Sequence, residues 1–220
     1  MKVLKFGGSS VASSKNIQKV LAIVSKSSEE QDIVVVVSAF GKTTNALIKG
    51  ATLAAQKNED YLEVLKELEN NHFNIIKELL PVKEQSSVNG YVKQLFNHLE
   101  TIYEGCFLLR ELSPKTLAKV SSFGELLSSY IISQAANESF KAVYKDTREL
   151  IVASDNYNNA LVDFSATFKN CQEYFSSRSQ KVTIVPGFVA RTINGKTTTL
   201  GRGGSDFTAA IISAALDCSE

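Results

Sequence analysis

Five consecutive residues, Ile33-Val34-Val35-Val36-Val37, constrain this chain more than any other feature. All are β-branched, which favours an extended backbone, and none is polar, so both faces of the strand they form must be covered. A strand of that kind belongs inside a parallel sheet, and parallel neighbours are joined by crossovers, usually helices. The flanking sequence supplies them. Val3, Leu4 and Phe6 form a short apolar segment that stops at Gly7-Gly8-Ser9-Ser10, after which the apolar spacing becomes helical at Ile17, Val20, Leu21 and Val24. Ile33–Val37 ends in turn at Ser38-Ala39-Phe40-Gly41, ahead of another helical stretch. The opening predicts β-α-β-α.

From about residue 60 to 136 the apolar period is helical throughout, and Pro81 and Ser113-Pro114 cut it into about three helices. So long a helical excursion predicts a subdomain at about residues 58–137, packed beside the sheet of a single domain spanning 1–220. Beyond it, Ala142-Val143-Tyr144, Leu150-Ile151-Val152 and Val182–Val185 read as strands, and Leu161–Phe175 as a helix. Phe188–Arg191 and Thr197–Leu200 flank Asn194-Gly195, a strong hairpin signal. Gly201-Arg202-Gly203-Gly204-Ser205-Asp206 then opens a final helix at Phe207–Leu216. The fold class is α/β, with a mostly parallel central sheet flanked by helices.

Composition narrows the function. With 44% hydrophobic and 21% charged residues and only 3 prolines, the chain carries enough apolar material for a real core, which excludes disorder and collagen-like structure. Its 24 Lys+Arg against 23 Asp+Glu leave a net charge of +1, without the broad electrostatic footprint that drives binding to nucleic acid or an anionic membrane. Any phosphate recognition must therefore be local. The longest strongly apolar run is far below the ~20 residues of a membrane helix, and the opening residues are too short and glycine-broken for a signal sequence, so a cytoplasmic protein is expected. Cys106, Cys171 and Cys218 are odd in number and widely separated, which predicts reduced, mostly buried thiols.

Two glycine pairs stand at junctions from strand to helix: Gly7-Gly8 before Ser9-Ser10, and Gly203-Gly204 before Ser205-Asp206. Such junctions expose backbone N–H groups at a helix N-terminus, where the peptide dipoles favour an anion. Each has a cation close by, Lys5 in one case and Arg202 in the other. A single junction is no more than a tight turn with a capping serine. Two with flanking cations point to phosphate. Familiar phosphate signatures fail here: for Gly41-Lys42-Thr43 the first P-loop glycine would fall on Val36, and a dinucleotide fingerprint starting at Gly201 would need glycine at Asp206. Glu125, in Ser122-Phe123-Gly124-Glu125, has two readings: a first-turn carboxylate complementing a helix dipole, or a partner for an ammonium group. His72 and His98 lack metal-ligand spacing and read as ordinary core or surface histidines, so no protein metal site is expected.

Lys5-Phe6-Gly7-Gly8-Ser9-Ser10-Val11, Val37-Ser38-Ala39-Phe40, Ser122-Phe123-Gly124-Glu125 and Leu200-Gly201-Arg202-Gly203-Gly204-Ser205-Asp206, in this order, resemble the aspartokinase branch of the amino acid kinase family. The resemblance spans nearly the whole chain and implies an amino acid kinase-like sandwich. It implies transfer of the γ-phosphoryl group of ATP to the side-chain carboxylate of L-aspartate, giving 4-phospho-L-aspartate, the first step of lysine, threonine and methionine biosynthesis. Carried over by motif, Lys5 would stabilise the transferring phosphoryl group, and Gly7, Gly8 and Ser9 would cradle phosphate. Ser38, Ala39 and Thr43 would line the amino-acid pocket, Glu125 would meet the substrate ammonium, and Arg202 would clamp a carboxylate. Gly203, Gly204 and Ser205 would sit at the reacting end, with Asp206 organising Lys5 or a metal-bound water. Mg²⁺ would ride on the nucleotide phosphates.

The helical insert is similar to that of longer aspartokinases, including those fused to homoserine dehydrogenase, and a homo-oligomer is implied for the full-length protein. Ser9 stands where threonine is common in the family and Phe40 where methionine is common. No segment resembles the family's acidic Thr-Asp-Val-Asp-Gly, so the expectation is an amino-terminal part of a longer enzyme, holding the aspartate site and half the phosphate site, with poor turnover alone. Glutamate and acetylglutamate kinases are the alternatives within the fold; a non-catalytic amino-acid sensor is the alternative outside catalysis. The Glu125 and Arg202 pair, suited to a free amino acid, disfavours uridylate and carbamate.

Overall fold

A computed structural model describes residues 1–157 and 160–218. The main sheet has the order β1-β2-β5-β3, built from β1 (Lys2–Phe6), β2 (Ile33–Val37), β5 (Val182–Pro186) and β3 (Ala142–Tyr144), and every pairing in it is parallel. A smaller sheet, β4-β6-β7, joins β4 (Val152–Ala153) to β6 (Val189–Thr192) in parallel and β6 to β7 (Thr197–Thr199) as the expected antiparallel hairpin.

All five residues of β2 are buried, and their alternation divides the core in two. Ile33, Val35 and Val37 pack into the larger apolar cluster with α1 (Ser14–Glu30), α2 (Thr43–Ala55), α3 (Tyr61–Leu79), α4 (Val82–Leu109) and α5 (Pro114–Ala136). Val34 and Val36 pack on the other face with α6 (Phe164–Ser177), α7 (Gly204–Ala215) and the small sheet. The two-sided covering read from the β-branched run is therefore met by two distinct layers. The helices α2 and α4 approach closely at Gly50, where a Cβ would lie 2.7 Å from the Tyr103 hydroxyl; that hydroxyl donates to the Leu47 carbonyl at 2.7 Å.

Several local expectations need correction. The turn after Gly7-Gly8 does not feed a helix directly: α1 begins at Ser14, capped by Ser13, whose Oγ accepts from the Asn16 amide. Glu125 is not a first-turn carboxylate, because α5 starts eleven residues earlier at Pro114 under a Ser113 cap. Its dipole reading falls with that. The final helix starts at Gly204 rather than Phe207, which draws Ser205 and Asp206 into its first turn. Leu150 and Ile151 lie between a 3₁₀ turn (Thr147–Glu149) and the two-residue β4. The cysteines are free; Cys106 and Cys171 are buried and Cys218 half-buried. Among the described residues, no helix is long and apolar enough to cross a membrane.

Candidate active site

Because β1, β2 and β5 run parallel and in register, Phe6, Val37 and Pro186 end along one edge, and the loops that follow gather there. In open α/β sheets this carboxyl edge is where ligands bind. The loops are laced by backbone bonds: Ser38 N–H to Phe6 O at 3.1 Å, Gly187 N–H to Val37 O at 2.9 Å, and Gly41 N–H to Gly8 O at 3.1 Å. At Gly8 a Cβ would lie 3.1 Å from the carbonyl oxygens of both Ala39 and Gly41, so glycine lets the first two loops touch backbone to backbone.

A cavity of about 260 Å³ opens at this edge, lined by Lys5 from β1, Ser38 and Thr44 from the β2–α2 connection, Glu125 from α5, Phe188, and Gly201 with Gly203–Asp206 from the turn into α7. Lys5 Nζ lies 2.9 Å from Asp206 Oδ1, so the one lysine of the cavity is already held by a carboxylate. Within the first turn of α7, Gly204 N–H bonds Gly201 O and Phe207 N–H bonds Gly203 O. That leaves the amides of Ser205 and Asp206 without an intrahelical partner, at the positive end of the helix dipole.

Glu125 is the electrostatic oddity of the cavity. The residue is 5% exposed, burial pushes its carboxyl up to about 8, and hydrogen bonds from the Ala39 amide and its own amide offset only part of that. The second oxygen, Oε2, is buried with no partner. An uncompensated carboxylate in such a place is costly, and burial favours the protonated form. The surroundings fix it firmly. Ser128 Oγ donates to Ser38 O at 2.8 Å, tying α5 to the end of β2, and a Cβ at Gly124 would fall 2.7 Å from Ala39 Cβ.

The far wall is Phe188, whose φ of +68° puts a bulky side chain in the left-handed region. Its amide donates to Thr208 Oγ1 at 2.9 Å and its carbonyl accepts from Leu200 N–H at 2.9 Å, while Thr208 Oγ1 donates to Gly204 O at 2.8 Å. A Cβ at Gly204 would strike the Phe188 ring at 2.6 Å, and one at Gly187 would meet Ser205 at 2.6 Å. These contacts over-determine a backbone that would otherwise relax.

Of the residues singled out from sequence, Lys5, Ser38, Glu125, Gly203, Gly204, Ser205 and Asp206 meet in this one cavity. Arg202 is exposed and lines an adjoining cavity of about 380 Å³ that shares Phe188 and Gly201 with the first. Ala39 acts through its backbone amide on Glu125. Gly7 and Gly8 build the first loop, and exposed Ser9 contributes its carbonyl to Asn16 Nδ2 at 3.0 Å. Thr43 turns away into a separate cavity, and its neighbour Thr44 takes the place expected of it. Thr44, Phe188, Gly201 and Thr208 were not singled out. The Thr43-Thr44 pair carried a usable signal, since consecutive helical residues point about 100° apart; Phe188 carried none, because its left-handed backbone is imposed by neighbours distant in sequence.

The chain belongs to the amino acid kinase family, whose family model, described as "Amino acid kinase family", matches residues 1–220. Within it, the chain is similar to aspartokinases. It is 33% identical over 99% of its length to the bifunctional aspartokinase/homoserine dehydrogenase of Buchnera aphidicola, covering 27% of that protein, and 34% identical over 99% to the chloroplastic aspartokinase 1 of Arabidopsis thaliana, covering 38%. Its fold matches E. coli aspartokinase III in complex with aspartate and ADP with a TM-score of 0.90 and 28% identity, over 100% of this chain and 48% of that one. It thus spans well under two thirds of the length of these relatives.

Proposed function

We propose that this chain carries the amino-acid site of an ATP-dependent aspartate kinase, which moves the γ-phosphoryl group of ATP to the side-chain carboxylate of L-aspartate and releases ADP and 4-phospho-L-aspartate. The observation that carries the reading is the unpartnered Oε2 of buried Glu125, set in the same cavity as the Lys5–Asp206 pair and the first turn of α7. In this lining Glu125 suits an ammonium group, and Lys5 with the first-turn amides of α7 suits an anion. A free amino acid with a second carboxylate satisfies both.

The chemistry asks little of the protein beyond placement. The attacking carboxylate is ionised at neutral pH, so no general base is needed, and the lining holds no histidine. Lys5 would follow the negative charge as the phosphorus–oxygen bond to ADP breaks and the bond to aspartate forms, with Asp206 holding its Nζ in position. The amides of Ser205 and Asp206, with Gly203 and Gly204 permitting close approach, supply further donors to the phosphoryl oxygens. Mg²⁺ carried on the nucleotide would neutralise phosphate charge, and Asp206, 72% exposed at its side chain, would meet water in the metal's shell. Arg202, long and exposed beside the cavity, would clamp the α-carboxylate of the substrate.

Lys5 would also be the residue that separates this function from amino-acid sensing, which needs the pocket but no phosphoryl transfer. Hydroxylamine trapping of acyl phosphate, on the full-length gene product with MgATP, decides among aspartate, glutamate and acetylglutamate. Hydroxamate formed from aspartate alone is the expected result. Saturable aspartate binding with no product from any of the three would replace the kinase by a sensor.

A further inference from the structure

A serine buried inside a helix commonly turns its hydroxyl back to the carbonyl three or four residues earlier, which satisfies the group and leaves the rest of the fold untouched. Three of those on α5 do so: Ser122 Oγ donates to Lys119 O at 2.7 Å, Ser129 Oγ to Glu125 O at 2.6 Å and Ser133 Oγ to Tyr130 O at 2.7 Å. Ser128, fully buried, departs from that pattern. Its Oγ lies 2.8 Å from the Ser38 carbonyl oxygen and 3.2 Å from the Glu125 carbonyl oxygen of its own helix. The single hydroxyl proton is therefore directed chiefly out of the helix, to the end of β2.

What it reaches is one peptide group with two ends. The carbonyl is that of Ser38; the N–H on the other side of the same planar unit is that of Ala39, and it donates to the Glu125 carboxyl. Glu125 and Ser128 lie one turn apart on the same face of α5. They hold the Ser38–Ala39 peptide from both sides, the serine fixing its tilt and the carboxyl receiving the N–H that this tilt presents. A hydrogen bond accepted at the carbonyl also polarises the peptide and makes its N–H a better donor. Two further contacts complete the grip. The Ser38 amide donates to Phe6 O at 3.1 Å, one residue past Lys5, and Gly124 has no side chain to press on Ala39, whose Cβ would lie 2.7 Å from a Cβ there.

We infer that Ser128 is a positioning residue of the amino-acid site: through the Ser38–Ala39 peptide it aims the Ala39 amide at Glu125 and so sets how readily that carboxylate receives the ammonium group of aspartate. It acts only through Glu125, and the inference rests on the aspartate kinase reading. Without the hydroxyl the Ser38 carbonyl loses its partner and the peptide is free to rotate, which weakens the donor to the ionised form of Glu125. The carboxyl, already pushed up to about 8 by burial, should then move higher. Among the described residues, the other titratable groups lining the cavity are Lys5 of β1 and Asp206 of α7, paired with each other at 2.9 Å, and Ser128→Ala leaves both in place.

The test is calorimetry of aspartate binding to the full-length protein, from about pH 6 to about pH 9, for the wild type, Ser128→Ala and Ser133→Ala. The last removes an equally buried hydroxyl of α5 whose own bond stays inside the helix. At pH 7 Ser128→Ala should bind aspartate roughly tenfold more weakly, and the deficit should shrink toward the alkaline end, where Glu125 ionises in both proteins. Ser133→Ala should follow the wild type throughout. A mere loss of packing would weaken binding equally at every pH. That result, full-strength binding by Ser128→Ala, or a deficit shared by Ser133→Ala would overturn the inference and leave the kinase reading in place. A wild type that binds no aspartate would overturn both.

Discussion

Glu125 and His72 are both buried, both keep one polar atom without a partner, and both flank the loop that follows β2. The same cause, desolvation, drives their titrations in opposite directions, the carboxyl up to about 8 and the imidazole down to about 4. Each is thereby kept neutral in the free protein at pH 7. The difference lies in what would relieve them. Neutral Glu125 has a proton to give up and becomes an anion when a cation binds, whereas neutral His72 offers a lone pair and gains from any donor without changing charge. Burial alone therefore does not mark a site; the kind of vacancy it leaves does.

The largest expected effect tests the catalytic side. Lys5→Ala in the full-length protein should lower turnover by roughly 10²–10³-fold while leaving aspartate affinity nearly unchanged, because its contact strengthens as charge moves. Equal losses in kcat and in aspartate binding, measured by steady-state kinetics and calorimetry, would move Lys5 from the reacting end to plain substrate binding.

Glu125→Gln should come next. It keeps the shape and removes the charge, so aspartate should bind roughly thirtyfold more weakly or worse. The same substitution should alter stability in a defined pH window. Between the ordinary carboxyl value of 4.5 and about 8, the native state of the wild type holds more protons than the unfolded state, so this group's contribution is full below 4.5 and is lost as pH rises through about 8. Chemical denaturation across that window should show the slope in the wild type and a flatter profile in the variant.

A smaller loss is expected at Thr208→Val, which leaves the Phe188 amide and the Gly204 carbonyl without the hydroxyl that joins them. The cost should be about 1–3 kcal/mol in urea unfolding, with Thr208→Ser recovering most of it. The smallest effect belongs to His72→Phe, which keeps an aromatic ring between Phe40 and Phe96. Here the linkage has the opposite sign: the wild type loses stability as pH falls from the ordinary 6.5 toward about 4, because the unfolded imidazole binds a proton that the native one refuses. The variant should resist acid better over that interval and differ little at pH 7.

How far the sequence reached follows the same divide between local and distant causes. The parallel sheet was readable because β2 is apolar on both faces and its neighbours end at glycines, and the hairpin because Asn194-Gly195 sits between two β-rich runs. Lys5, Ser38 and Asp206 came from motif, at strand ends where topology converges. Glu125 was recognised as a residue, but its depth was not, because Ser121, Ser122, Ser128 and Ser129 look like a solvated face while α5 is in fact wedged between the sheets and α2. Thr43 and Thr44 differ only in helical phase, which the boundary at Thr43 sets. Phe188 owes its conformation to Thr208, Leu200 and Gly204, and no pattern along the chain encodes three such contacts at once.

The idea that Glu125 waits neutral for a substrate ammonium is open to calorimetry of aspartate binding at pH 7, run in buffers of different ionisation enthalpy. With its carboxyl at about 8, binding should release roughly nine-tenths of a proton to the buffer, and the Glu125→Gln protein should release almost none. Binding of aspartate to the wild type without proton release would contradict a Glu125 that is neutral before the ammonium arrives and ionised after it.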